Sequence, residues 1–158
     1  MQNLNKILKT PLRQPVTKGL LIFLFIVAAI GFIDATYLTV EHFGNRIPPC
    51  TTDGCEIVLT SKYAEFFGIP VALGGALYYF AILVALMAYF DTKREIILRG
   101  TLLFTVVGFL VSAYLFFLQA KVIGAFCQYC LVSAGTSTTL FIIAVYIFKK
   151  YRQPVTTV

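Results

Sequence analysis

Four cysteines, Cys50, Cys55, Cys127 and Cys130, are the residues of this 158-residue chain whose type and spacing suit redox chemistry. Cys127-Gln128-Tyr129-Cys130 sets two thiols three positions apart at the mouth of the last apolar run. A helix starting there brings both sulfurs to one face, and its partial positive N-terminus favours a thiolate. Between Cys50 and Cys55, Thr51-Thr52-Asp53-Gly54 reads as a turn tight enough to let the two bridge. Thiol–disulfide exchange needs an attacking thiolate, a reachable disulfide and a leaving thiol of suitable pKa, and two pairs in series supply all three.

Three readings of the cysteines are open: two structural disulfides, a four-cysteine metal site, or a thiol relay. Zinc sites of that kind usually join two short-spaced pairs, whereas Cys50 and Cys55 are four residues apart in intervening count. A structural staple is seldom set at a helix N-terminus that favours thiolates. The relay accounts for both spacings, and no metal is expected. In a relay the outer pair meets a soluble partner on a loop. The inner pair meets a lipid-soluble acceptor of two electrons, and a quinone meets that description.

The elements that must position these thiols follow from composition. The chain is 59% hydrophobic and only 13% charged, where a soluble domain has about a quarter of its residues charged. Four apolar runs, Gly19 to Val40, Ile69 to Phe90, Gly100 to Gln119 and Leu131 to Phe148, approach the ~20 residues that cross a bilayer as a helix. The fold expected is an all-α membrane protein: a four-transmembrane-helix bundle over residues 19–148, flanked by a basic segment 1–18 and a tail 149–158. The first run is too long for the ~7–15-residue core of a signal peptide.

Ten of the thirteen basic residues fall in the N-terminal segment (Lys6, Lys9, Arg13, Lys18), the loop between the second and third runs (Lys93, Arg94, Arg99) and the tail (Lys149, Lys150, Arg152). The positive-inside rule then places both termini in the cytoplasm and all four cysteines on the opposite face. In a bacterium that face of the inner membrane is the periplasm or exterior; the endoplasmic reticulum lumen is the less favoured alternative. Both compartments permit disulfides. The net charge of +6 is accounted for by this topology, and no nucleic-acid partner is read into it.

The outside loop 41–68 is the largest extramembrane segment. After Cys55, the apolar residues Ile57, Val58, Leu59, Tyr63, Phe66 and Phe67 alternate with Glu56, Lys62 and Glu65, a pattern for one or two short interfacial helices that lid the bundle. Thr60-Ser61 is placed to cap the second. Gly68-Ile69-Pro70 turns the chain into the next helix, with Pro70 in its first turn.

Cys50 and Cys55 in the first loop, Ser61-Lys62-Tyr63-Ala64, Gly68-Ile69-Pro70, Gly74, and Phe126-Cys127-Gln128-Tyr129-Cys130 opening the last helix together resemble the vitamin K epoxide reductase family in its compact bacterial form. The likeness covers roughly Gly19 to Tyr146. In the DsbB type of quinone-linked oxidase the close-spaced pair comes first; here the wider pair comes first. The resemblance implies that Cys50 exchanges with a partner thiol, that Cys55 passes electrons inward through a mixed disulfide with Cys127, and that Cys130 faces the quinone. It also implies that Ser61 lies in a short helix over the pocket. The vertebrate members carry an asparagine and a tyrosine where this chain has Pro70 and Ala134. Quinone reduction is therefore expected ahead of epoxide reduction, with vitamin K quinone or its epoxide as a further substrate. The expected partner is a separate thioredoxin-like (DsbA-like) exported protein, and the acceptor is menaquinone, ubiquinone or vitamin K.

Around the quinone the expected residues are Ser61, Phe66, Pro70, Gly74, Tyr78, Phe126 and Ala134. Tyr63, Tyr79 and Tyr129 either line the same pocket or sit at the interface as tyrosines often do. Asp34, about a turn and a half inside the outer end of the first run, is an ionisable group at membrane depth: a proton relay or holder of the loop on one reading, a hydrogen-bonded carboxylate on the other. His42, the one histidine, is read as a solvated interfacial residue or a proton donor. Two other classes compete with the enzyme reading. One is a scaffold with structural disulfides. The other is a small transporter, which calls for broken helices and polar groups at the midplane.

Overall fold

The computed structural model describes residues 16–50 and 54–151. The turn expected at 51–53 and most of the two terminal segments lie outside the described residues. In chain order the elements are helix α1 (Lys18–Phe43), a short helix α2 (Gly54–Leu59), strands β1 (Glu65–Phe66) and β2 (Ile69–Pro70), and helices α3 (Val71–Thr92), α4 (Glu95–Phe117) and α5 (Gln128–Tyr151). Between α4 and α5 the chain makes a π-helical turn, Leu118–Ile123. Helices α1, α3, α4 with its π-helical extension, and α5 are each long and apolar enough to cross a bilayer.

These helices are apolar all round, as lipid demands of a spanning helix. Ile33, Leu77, Phe80, Met87, Leu110 and Ile142 face outward. The inward faces of α1, α3, α4 and α5 meet through Leu24 and Ala28, Ile82 and Leu86, Leu98 and Leu102, and Leu140 and Ile147. Lipid is as apolar as these side chains, so close packing and polar contacts must hold the bundle. Gly31 supplies one such contact: a Cβ there would run into the Tyr79 ring, so only glycine lets α1 and α3 approach at that level. Ser112 and Ser137 share a hydrogen bond of 2.6 Å between α4 and α5.

Three local features differ from the sequence expectation. The lid holds one short helix, within the one or two expected, but its remainder is not helical: after α2 the chain forms a two-residue-per-strand antiparallel hairpin pairing Glu65 with Pro70 and Phe66 with Ile69. Phe67 and Gly68 turn it with φ of 53° and 76°, and glycine bears the second of those at little cost. Ser61 therefore caps no second helix; its hydroxyl donates to the Val58 carbonyl oxygen at 2.7 Å and closes the end of α2. The loop between α3 and α4 is also shorter than expected. Only Lys93 and Arg94 separate α3 from α4, and Arg99 stands inside α4, 3% exposed, paired with Glu95 one turn back at 3.6 Å. Helix α1 also runs past the apolar run, through Glu41 and His42 to Phe43, so Asp34 stands nine residues, about 13 Å, before the helix end.

Candidate active site

At one end of the bundle, Cys55, Val58 and Cys127 form a small buried cluster, and Cys50, Leu59, Ile123, Ala125, Tyr129 and Cys130 pack against it. The structure thus brings all four cysteines together. Cys50 and Cys55 are bridged, with Cα atoms 6.2 Å apart. Cys127 and Cys130 are free thiols. Cys55 and Cys127 are 1% and 0% exposed, whereas Cys50 is half-buried, so the outer member of the bridge is the one a soluble protein can approach.

Gly54 makes the seating of α2 possible. A Cβ at that position would meet the backbone carbonyl oxygen and nitrogen of Phe126. Its absence lets the first turn of α2 lie directly on the strand of chain leading into Cys127. Tyr129 adds a second tie: its hydroxyl donates to the Pro49 carbonyl oxygen at 2.9 Å, and its ring packs on Tyr37 of α1 at 5.5 Å.

Cys127 occupies the position just before the first residue of α5, and its carbonyl oxygen accepts the first helical bond, from Leu131 at 3.0 Å. Its sulfur therefore sits where a helix offers unpaired N–H groups. The Cys127 thiol is brought down to about 7, first by the hydrogen bond from the Cys130 thiol and then by the N–H groups of Cys130 and Tyr129, working against its burial. The Cys127 N–H in turn donates to the side-chain carbonyl oxygen of Gln119 at 3.0 Å. Gln119 is buried within the π-helical turn, and its own backbone oxygen accepts from Gly124, where a φ of 70° ends the turn. The wide π-helical turn swings Gln119 under the cysteine segment; such turns recur at functional sites. No sequence signal marks Gln119 beyond a polar residue at the end of an apolar run.

On α3, Tyr79 is 1% exposed and its hydroxyl donates to the Ser133 carbonyl oxygen of α5 at 2.8 Å, with the Thr136 hydroxyl 2.7 Å away. Asp34 lies within electrostatic reach of Tyr79, Cys127 and Cys130. Its Oδ2 atom is buried and has no hydrogen-bond partner among the described residues. His42 Nε2 lies 3.2 Å from Glu65, joining the end of α1 to the hairpin.

The expected pocket residues scatter. The Phe126 ring packs on Phe116 at 5.9 Å. Ala134 lines a groove of about 410 Å³ between α4 and α5, with Phe109, Ser112, Phe116, Leu131 and Thr138 among its walls. Pro70 is buried immediately before α3. Ser61 sits at the foot of α2. Phe66 is 71% exposed on the hairpin, and Gly74 faces open space on the outer side of α3. Tyr78 lies deeper, its ring over Gly108 and against Phe104 of α4, away from the cysteine cluster.

The arrangement gathers a half-exposed disulfide, two buried cysteines and a second thiol pair into one cluster. A 32% identity over 126 residues relates the chain to the thiol-disulfide oxidoreductase LTO1 of Arabidopsis thaliana; the match takes in 72% of this chain and 32% of that protein, so the chain spans about a third of its relative's length. The vitamin K epoxide reductase family model matches residues 22–145, which include all four cysteines and most of the bundle. This four-helix membrane protein therefore belongs to the vitamin K epoxide reductase family.

Proposed function

We propose that the protein is a membrane thiol oxidase that takes two electrons from an exported thioredoxin-like (DsbA-like) dithiol and passes them through its two cysteine pairs to a quinone. One observation carries the reading: Cys55 and Cys127 are buried in the same cluster, beneath a half-exposed Cys50 and with Cys130 at the next turn. The name of the plant relative, a thiol-disulfide oxidoreductase, supports the same chemistry.

The steps balance as follows. A partner thiolate attacks Cys50, the Cys50–Cys55 bond breaks, and the second partner thiol displaces Cys50. The partner leaves as a disulfide and the outer pair as a dithiol. The Cys55 thiolate then attacks Cys127 of an oxidised inner pair, with Cys130 leaving. Cys50 attacks Cys55 in turn, restoring the outer bridge and releasing Cys127 as the thiolate that the helix N-terminus favours. An outer bridge with an inner dithiol, the state described above, is the product of that transfer. The inner pair then gives two electrons to the quinone and becomes a disulfide; of the two protons the quinone takes up, one is the Cys130 thiol proton and the other is the proton Cys127 lost on becoming a thiolate.

The α4–α5 groove opens to lipid, and Ala134 on its wall is one helical turn from Cys130 on the same face. It offers a quinone ring, whether menaquinone, ubiquinone or vitamin K, a lateral approach to the Cys130 sulfur. The Lys and Arg distribution supports cytoplasmic termini in a bacterial inner membrane, with the cysteines facing the periplasm or exterior.

The test is quinone-dependent oxidation of a reduced thioredoxin-like protein by the purified chain in detergent. Wild type should turn over. Cys130→Ser should stop electron delivery to the quinone, and Cys50→Ser should stop the protein-driven reaction alone. A wild-type chain that reduces no common quinone and keeps its cysteine states unchanged refutes the relay and favours a scaffold stapled by its outer bridge.

A further inference from the structure

Two contacts bracket Asp34 on α1. One turn toward the bilayer centre, Gly31 meets the Tyr79 ring. One turn toward the outer end, Tyr37 meets the ring of Tyr129, the residue between the two inner cysteines. Residues 31, 34 and 37 are three apart and share a helix face. Asp34 is therefore held between α3 and the first turn of α5, with the Tyr79 phenol and the Cys127 and Cys130 sulfurs within electrostatic reach. Tyr79 is already engaged: its hydrogen goes to the Ser133 carbonyl oxygen. Oδ2 of Asp34 is left buried with no donor among the described residues.

An unpartnered carboxylate oxygen about 13 Å below a helix end in a membrane bundle is costly, and such groups mark proton or substrate paths. The cysteine pair beside it has a matching need. A dithiol entering service as a thiolate must lose one proton, and a quinone leaving as a hydroquinone must gain two. In hydrocarbon there is no bulk water to supply the difference.

We infer that Asp34 stores the proton that Cys127 gives up on becoming a thiolate and delivers it to the quinone. The inference rests on the quinone-reducing function proposed above. When the outer pair reduces the inner disulfide, Cys127 and Cys130 each take up a proton, and the Cys127 proton passes to the Asp34 carboxylate. The poised site then holds the Cys127 thiolate, the Cys130 thiol and the Asp34 carboxylic acid. Quinone reduction forms the Cys127–Cys130 sulfur–sulfur bond. The electron pair enters the ring, one ring oxygen takes the Cys130 proton, and the other takes the Asp34 proton. Two electrons and two protons move, the net charge of −1 on the site is unchanged, and Asp34 returns to the carboxylate ready for the next reduction.

The experiment separates the half-reactions of the full-length chain in detergent. Dithiothreitol reduction of both cysteine pairs, followed by thiol labelling, reads disulfide exchange. Anaerobic mixing of the fully reduced chain with a short-tailed ubiquinone, followed by the loss of quinone absorbance, reads the second half. Asp34→Asn keeps the shape and loses the proton. It is expected to slow quinone loss by about a hundredfold or more, the scale of a positioned proton donor, and to leave disulfide exchange within about twofold. Asp34→Glu, a carboxylate one methylene longer, should recover part of the rate, which a purely structural role would not produce. Quinone loss at the wild-type rate in Asp34→Asn overturns the inference, as does equal slowing of both half-reactions. A wild-type chain inert to the quinone is a different result: it removes the function itself, and the inference with it.

Discussion

Removing the Cys130 side chain should disarm Cys127 before any substrate is involved. The hydrogen bond from Cys130 is the largest influence holding the Cys127 thiol at about 7, below its ordinary value of 9.0. Of the remaining influences, burial and the Asp34 carboxylate raise it while two helix N-terminal N–H groups lower it. Cys130→Ala should therefore return Cys127 close to the ordinary range, and Cys130→Ser, which keeps an O–H donor, should hold most of the shift. A rise of two units takes Cys127 at neutral pH from about half ionised to about one per cent, or about 50-fold less thiolate. The more basic thiolate is intrinsically about eightfold more nucleophilic, so exchange at neutral pH falls by about sixfold rather than 50-fold. The direction with pH follows from the same numbers: in the serine variant the thiolate persists until pH falls through about 7, and in the alanine variant it is already lost below about 9. With the outer bridge intact, either variant has one free thiol among its cysteines. Thiolate absorbance in the ultraviolet, followed against pH and corrected with Cys127→Ser, reads its ionisation directly. A Cys130→Ala midpoint that stays near 7 would refute the assignment and leave the helix N-terminus as the sufficient cause.

Three further outcomes follow from particular contacts. Gly54→Ala should lift α2 off Phe126 and slow electron transfer between the outer and inner pairs by about tenfold or more, since small misplacements of reacting groups cost on that scale; unaltered transfer kinetics by quenched thiol labelling would refute the seating. Gln119→Leu leaves the buried Cys127 N–H without its acceptor and should destabilise the chain by about 1–3 kcal/mol, measured as a fall in the thermal midpoint in detergent. Tyr79→Phe removes the hydroxyl that ties α3 to Ser133 and Thr136 of α5 and should cost about 1 kcal/mol by the same measurement; no shift would mean that the α3–α5 junction holds without these bonds.

The spans were readable because lipid leaves a helix little choice. A run of about 20 apolar residues satisfies its backbone internally or does not cross, so composition alone located four helices to within a few residues. The largest error was at the inner end of α4, where Arg99 read as a loop residue. A charge one turn into an apolar helix is admitted because Glu95 lies four residues before it, a pairing that a window of hydropathy does not register. The hairpin at 65–70 was missed for the opposite reason: its sequence is apolar enough for an interfacial helix, and only the left-handed turn at Phe67-Gly68 makes it a hairpin.

The sequence by itself determined that this is a four-helix membrane protein with two cysteine pairs, because bilayer thickness and thiol chemistry act on residue type and spacing. Only the tertiary structure decided which groups work on those thiols. Gly54 and Phe126 are 72 residues apart, Asp34 and Cys127 are 93 apart, and Tyr79 reaches Ser133 across 54. Gln119 meets the Cys127 N–H because a π-helical turn carries it past the register an α-helix would impose. Such contacts depend on where helices cross, and helix crossings in lipid are set by close packing at positions such as Gly31 and Gly108 rather than by any periodicity along the chain.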